Sequence, residues 1–296
     1  MVQTLALAGS GLIWLIPYRG VYFLLYALGW RELLRPYDRS PHASLGYLFW
    51  VTSVREGIDR LLPVASVGGS VAAVRLMRWR GLGAAPVSAT VIVEILVTLA
   101  VLYAFTALGL LLLFHLGDPG QGYRRLLITF LFTLPAPAVI AWLLRYGSLF
   151  SRLGRFLSAL VGVNALSASA TALDHELRAC LGRGSSLVTV GVLQFVAVSS
   201  AALEIWWVLR LCGHPVSISA ALILESMTQA MRHLAFIVPA GLGVQEAGLV
   251  LFGHLLGISG EMALAVSMAK RLREVLCGLP ALISWQWLEA RRLRAA

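Results

Sequence analysis

Leu62-Pro63-Val64-Ala65-Ser66-Val67-Gly68-Gly69 and Val238-Pro239-Ala240-Gly241-Leu242-Gly243-Val244-Gln245-Glu246 are the two stretches on which the fold turns. Each sets a proline and two glycines between apolar segments that are individually too short to cross a bilayer. Proline removes a helical hydrogen bond and clashes with the preceding turn, and glycine admits backbone conformations closed to other residues, so a helix stops at each stretch. Two half-helices joined by such a break form a re-entrant hairpin. Its loop backbone is tolerated at membrane depth only where protein or a polar cavity satisfies it.

The rest of the chain makes lipid the solvent. Of 296 residues, 59% are hydrophobic and 13% charged, and the mean hydropathy is +0.82, far from the values of soluble domains. Stretches 87–116, 126–144 and 186–211 approach or exceed the roughly 20 apolar residues that span a bilayer. Residues 1–10 carry neither a basic region nor a processing site, so no cleavable leader is expected. The formal net charge of +10 is nearly all arginine. In a membrane chain this excess sets orientation and meets anionic lipid, and nucleic acid is not an expected partner.

Cys180, Cys212 and Cys277 are scattered, which supports neither a zinc site nor a disulfide framework. The six histidines lack metal-binding spacing, and neither a G-x-S-x-G nor a phosphate-loop motif occurs. Metal hydrolysis and ATP-driven pumping are therefore disfavoured, and no metal or cofactor is expected.

Around the first break, His42 to Leu62 reads as a half-helix in which Arg55 with Asp59, and Glu56 with Arg60, are spaced as ion pairs. The second half-helix ends in Arg75, Arg78 and Arg80. A span interrupted by Pro17 and Arg19 precedes them, from about Gly11 to Leu34, and a span from Ala85 to His115 follows. Next come a span from Arg124 to Arg145, expected to kink at Pro135 and Pro137, and an interfacial helical connector over 151–183. The first order of elements then recurs: span 186–211, half-helix 217–238, the second break, half-helix 244–256, and a long helix from about Gly260 to Arg294.

Laying Pro63 on Pro239 brings Gly81 onto Gly257 and Glu94 onto Lys270 without a gap. The fold expected is an all-α polytopic membrane protein with two inverted repeats, each containing a re-entrant broken-helix hairpin. Residues 1–296 form one transmembrane domain, with repeat one at about 10–116, linker helices at about 117–184 and repeat two at about 185–294. If each hairpin returns to the face it entered from, the second repeat begins inverted. Arg31, Arg35, Arg39, Arg75, Arg78, Arg80, Arg145, Arg152, Arg155, Arg178, Arg183, Arg291, Arg292 and Arg294 then share one face, which should be the cytoplasm. This puts the C-terminus inside and the N-terminus outside, and a further helix upstream of Met1 is expected.

A charged side chain at bilayer depth costs at least about 2.5–3.5 kcal/mol on insertion scales, so such residues are by default paired, inward-facing and functional. Glu94 and Lys270 lie about ten residues into their helices, roughly 15 Å of rise, and a mutual ion pair is expected, with Arg273 and its neighbours Arg271 and Glu274 alongside. Separate structural salt bridges are the ordinary alternative. Each break also aims a helix N-terminus, with free N–H groups and a positive dipole end, into the membrane, where it suits a phosphate or other anionic head group. Pro63, Gly68 and Gly69 would frame the first such site, and Pro239, Gly241 and Gly243 the second. Arg55, Arg60, Arg75 and Arg232 are candidate head-group clamps, against the plainer reading of snorkelling arginines. Glu246 gates the second site or pairs with an arginine, unless it is simply a carboxylate favoured by the helix start.

Arg55-Glu56, Leu62-Pro63, Gly68-Gly69, Ala73 and Gly81, with the phrase Pro239-Ala240-Gly241-Leu242-Gly243-Val244-Gln245-Glu246-Ala247-Gly248, resemble the flippase-like family typified by the membrane domain of lysylphosphatidylglycerol synthase. The phrases Ala27-Leu28-Gly29-Trp30-Arg31-Glu32-Leu33-Leu34 and Leu62 to Gly69 look most like the hopanoid-biosynthesis-associated membrane proteins (HpnL type). The resemblance implies movement of a hopanoid or another polar lipid between leaflets. It departs from the family in lacking the usual first helix and an appended aminoacyltransferase domain, so lipid aminoacylation is not expected. The leading expectation is a translocase rather than an enzyme, in a bacterial inner membrane. Membrane lipids are its partners, with lipid-biosynthesis enzymes and a second copy of the chain as further candidates. An integral-membrane enzyme acting on a lipid head group, or a scaffold for lipid-synthesis enzymes, is the alternative.

Overall fold

The computed structural model describes residues 9–38, 42–62, 68–116, 135–148, 150–152, 164–234 and 242–295, and among them every regular element is helical. A 3-10 turn at Gly9–Trp14 leads into α1 (Leu15–Leu34). It is followed by α2 (Leu45–Leu61), α3 (Gly68–Arg78), α4 (Ala84–Leu116), α5 (Ala136–Tyr146), α6 (Asn164–Leu181), α7 (Gly184–Leu211), α8 (Ile218–Leu234), α9 (Val244–Leu255) and α10 (Gly260–Ala295). Three of the described helical stretches, Gly11–Leu34, Ala84–His115 and Gly184–Leu211, are long and apolar enough to cross a membrane. Their outward faces are apolar: Val188, Val192 and Val196, one turn apart on α7, are all more than half exposed. A water-soluble fold would bury such a stripe.

Local chemistry accounts for the ends of the short helices. The Ser44 hydroxyl accepts from the Tyr47 amide and caps α2. Gly81 and Gly257, shortly after α3 and α9, have φ of +82° and +72°, the left-handed geometry that ends a helix at glycine. Pro135 and Pro137 stand in the first turn of α5, where a missing N–H is harmless. The portion of the expected 124–145 span before residue 135, on which a kink at these prolines depends, lies outside the described residues.

Hydrogen bonds give the helix directions. Along α1 and α7, Trp207 donates to the Gly11 carbonyl (3.3 Å), Tyr18 to the Ser200 carbonyl (2.7 Å), Ser186 to Glu32 (3.0 Å) and Arg183 to the Tyr37 hydroxyl (3.1 Å). The residue numbers rise on one helix as they fall on the other, so α1 and α7 run antiparallel. Helices α2 and α3 form an antiparallel pair: Tyr47 donates to the Leu76 carbonyl (2.7 Å) at one end, and the Gly69 amide to Asp59 (3.0 Å) at the other. Helix α2 also packs antiparallel on α10, where Trp50 donates to Ser284 (2.8 Å).

Gly57 and Gly278 bring α2 and α10 into backbone contact: a Cβ on Gly57 would stand 3.0 Å from the Gly278 carbonyl oxygen. Small residues permit this approach, which is the usual means of holding helices together in lipid. Helix α8 packs on α4 in a corresponding way, with Gly109 against Ser226. The starts of α3 and α9, at Gly68 and Val244, and of α4 and α10, at Ala84 and Gly260, are separated by the same number of residues as Pro63 and Pro239. Both prolines, with Gly241, lie outside the described residues.

Candidate functional site

Arg19 stands in the second turn of the apolar α1 and Glu204 two turns before the end of the apolar α7, both buried. Neither helix can leave such a charge in hydrocarbon, and the packing supplies counter-charges from both halves of the chain. Arg19 pairs with Glu56 (2.7 Å), Glu56 with Arg60 (3.0 Å) and Arg60 with Glu274 (4.0 Å). Glu274 lies 3.8 Å from Arg273, Arg273 Nη1 donates to both carboxylate oxygens of Glu204, and Glu204 closes the circuit at 3.9 Å from Arg19. The result is a ring of six alternating charges drawn from α1, α2, α7 and α10. The Arg19 guanidinium is further held 3.6 Å over the centre of the Tyr22 ring.

Branches leave the ring at Glu274, which also meets Arg232 (3.6 Å) and Arg271 (3.3 Å). Arg271 reaches Glu246 (3.3 Å), whose same oxygen accepts from Ser267 (2.9 Å). Gln245 links the two sides of this arm: it accepts from Arg232 (2.6 Å) and donates to Ser267 (3.0 Å). Two further pairs flank the ring, Arg55 with Glu94 and Lys270 with Glu225, each at 2.5 Å. With Asp59, one helical turn from Arg55, the cluster holds seven cationic side chains (Arg19, Arg55, Arg60, Arg232, Lys270, Arg271, Arg273) and seven carboxylates (Glu56, Asp59, Glu94, Glu204, Glu225, Glu246, Glu274). Removing one partner of a buried pair is strongly destabilising, by about 3–5 kcal/mol, because the other charge is left uncompensated.

Several expectations are corrected by this geometry. Glu94 and Lys270 do not pair with each other. Each takes a partner from a short helix instead: Arg55 of α2 donates to Glu94, and Lys270 donates to Glu225 of α8. The i,i+4 pair of Glu56 with Arg60 forms, whereas Arg55 leaves Asp59 for Glu94, and Asp59 accepts from the Gly69 amide. The glycine at 69 serves contact between helices: a Cβ there would stand 2.5 Å from the Arg55 carbonyl oxygen.

Of the other expected site residues, Gly68 begins α3. Gly243, with φ of +79°, precedes α9 and has nothing among the described residues within 4 Å of where a Cβ would stand. Arg75 is placed elsewhere. It is exposed at the far end of α3 and paired with Glu289, where Arg292 also donates to the Trp79 carbonyl (3.4 Å) and Arg80 stacks on Tyr47. Arg183 on Tyr37 marks the same end of the bundle. There burial pushes up both the Tyr37 phenol and the Cys180 thiol, which lie 3.3 Å apart.

The sequence pattern singles out none of Glu204, Glu225 and Gln245, and marks Arg19 only as an interruption of its span. A lone charge inside an otherwise apolar span was the available signal for Arg19 and Glu204.

The family model described as the lysylphosphatidylglycerol synthase TM region matches residues 3–280. The chain belongs to this family. No curated protein and no solved structure matches it. As a member of the lysylphosphatidylglycerol synthase TM-region family, the chain is a membrane protein of a group associated with lipid modification or synthesis. Every member of the charge cluster falls within the part of the chain that the lysylphosphatidylglycerol synthase TM-region model covers.

Proposed function

We propose that the chain is a lipid translocase, moving a polar lipid such as a hopanoid or a phospholipid derivative between leaflets without itself performing an enzymatic step. The observation that carries the reading is the ring of six alternating charges inside an apolar bundle. Charges of this kind in lipid are costly and mark pathways for polar cargo. Structural ion pairing alone does not require several partners to crowd onto one carboxylate, whereas Glu274 meets Arg60, Arg232, Arg271 and Arg273. A cluster with redundant partners can exchange them as a head group passes.

Inverted repeats with re-entrant hairpins give this cluster its two approaches. Corresponding helices α1 and α7 run antiparallel, which a two-fold axis lying in the membrane plane demands. The α2–α3 pair begins and ends at the arginine-rich end of the bundle, as a hairpin returning to its own face does. The tail stays in lipid, along apolar clefts of about 520 Å³ and 430 Å³ on two sides of α4, lined by residues such as Val97, Ala100 and Ala104. In this reading the arginine-rich end and the C-terminus are cytoplasmic in a bacterial inner membrane. Membrane lipids are the partners; lipid-biosynthesis enzymes at the arginine-rich end, and a homodimer, are compatible additions.

The test is reconstitution of the chain into vesicles carrying acyl-labelled lipids in one leaflet. Faster transbilayer movement than in protein-free vesicles is expected. Equal rates across lipid classes with and without protein would remove the proposal.

A further inference from the structure

We infer that the head group taken up by the charge cluster carries no net charge and both donates and accepts hydrogen bonds, as a polyol or a zwitterion does. This rests on the translocation reading and narrows it. A cluster of arginines ordinarily suits an anion, because guanidinium groups pair with phosphate or carboxylate. Here that demand is already met from within the chain. Seven cations face seven carboxylates, so the cluster is electrically balanced before any ligand arrives. The start of α3, the other attraction for an anion, already has the Asp59 carboxylate on its Gly69 amide.

The unsatisfied atoms point the same way. Among the described residues, Arg273, only 4% exposed, has a buried Nε–H with no acceptor, and Glu246 has a buried Oε2 with no donor. Arg273 in the ring and Glu246 on its branch are linked through Glu274 and Arg271. One orphan donor and one orphan acceptor match a group offering both functions. An anionic head group satisfies the donor alone. To enter, it must also displace a carboxylate from its arginine and strand that carboxylate in a low-dielectric interior. A hydroxyl or a zwitterion inserts between paired charges without changing their balance.

The experiment uses the full chain in phosphatidylcholine vesicles with three acyl-labelled probes: an uncharged glycosyl diacylglycerol, zwitterionic phosphatidylethanolamine and anionic phosphatidylglycerol. Movement of the uncharged and zwitterionic probes is expected to exceed that of phosphatidylglycerol by at least about tenfold. Equal or faster movement of phosphatidylglycerol overturns the inference while leaving translocation standing. Acceleration of none of the three removes translocation itself, and the inference with it. Glu246→Gln supplies the second arm, since it removes one negative charge from a partly exposed position. The ratio should shift severalfold toward phosphatidylglycerol, and an unchanged ratio overturns charge balance as its cause.

Discussion

Glu94 and Lys270 occupy corresponding places in α4 and α10, carry opposite charges, and are each neutralised 2.5 Å away by a residue of a neighbouring short helix, Arg55 on α2 and Glu225 on α8. The polarity is reversed between the two halves: in the first the short helix brings the cation, in the second the anion. Each half is therefore locked to its own long helix by a buried pair, and neither lock depends on the other.

Independent locks predict a pattern of rescue. Glu94→Gln leaves Arg55 without its carboxylate and should cost about 3–5 kcal/mol of stability, read as a lowered unfolding temperature in detergent. Adding Arg55→Gln should recover much of the loss, because replacing both members removes the stranded charge. Lys270→Met should not be rescued by Arg55→Gln; cross-rescue would show that the two pairs are coupled.

The contact between Gly57 and Gly278 predicts an effect from a single methyl group. Gly278→Ala would place its Cβ 2.8 Å from Leu61 Cδ1 and 3.1 Å from the Gly57 Cα. Overpacking of this kind costs about 1–3 kcal/mol, so the variant should unfold earlier in a thermal series. Gly81→Ala tests different physics, since its Cβ would meet nothing within 4 Å but its φ is +82°. It should be destabilised by backbone strain alone, on the order of 1–2 kcal/mol, and an unaltered melting temperature would contradict the left-handed geometry.

Cys180 should be a slow thiol. It is buried, touches Tyr37, and burial holds its proton above the ordinary value of 9.0. Because the thiolate is the reactive form, alkylation of folded protein at pH 8 should lag far behind that of denatured protein. The stability consequence has a definite sign. A raised thiol leaves stability unchanged below pH 9, then lowers it as the unfolded chain loses its proton before the folded chain does. Equal alkylation of both forms would mean that the thiol is open to solvent.

Sidedness is checked by single cysteines. Substitutions at Arg35 and Arg292 should be labelled from the same face by an impermeant maleimide, since α1 ends and α10 ends at one end of the bundle. A cysteine at Gly213, just beyond α7, should be labelled from the opposite face. In right-side-out bacterial vesicles the first two should be protected, in keeping with a cytoplasmic C-terminus.

Helix starts and stops were legible because their causes are local. Proline and glycine punctuation placed α3 after Gly68, α9 after Gly243, and the turns at Gly81 and Gly257 close to where the helices lie. The charge ring was not legible, because its members are brought together only when α1, α2, α7 and α10 assemble. Nothing within reach of Arg19 along its own helix announces Glu56 or Glu204. The expected Arg55–Asp59 pair failed for a related reason: an i,i+4 contact is worth a few tenths of a kcal/mol, and a buried carboxylate on a packed neighbour outbids it. Glu94 and Lys270 do stand at the same distance from the starts of α4 and α10, but that match of position does not make a contact between them.

The glycine pair on α2 and α10 also determines how these helices can move. Most packed helices interlock, and sliding one past another requires side chains to leave their slots. Where Gly57 rests on Gly278 neither residue supplies a knob of its own, and Leu61 and Leu282 close over the crossing from either side, so it behaves as a pivot. A small tilt about that point is amplified toward the tips of the helices, and the Arg60–Glu274 contact, one turn away, is the first ion pair it would stretch.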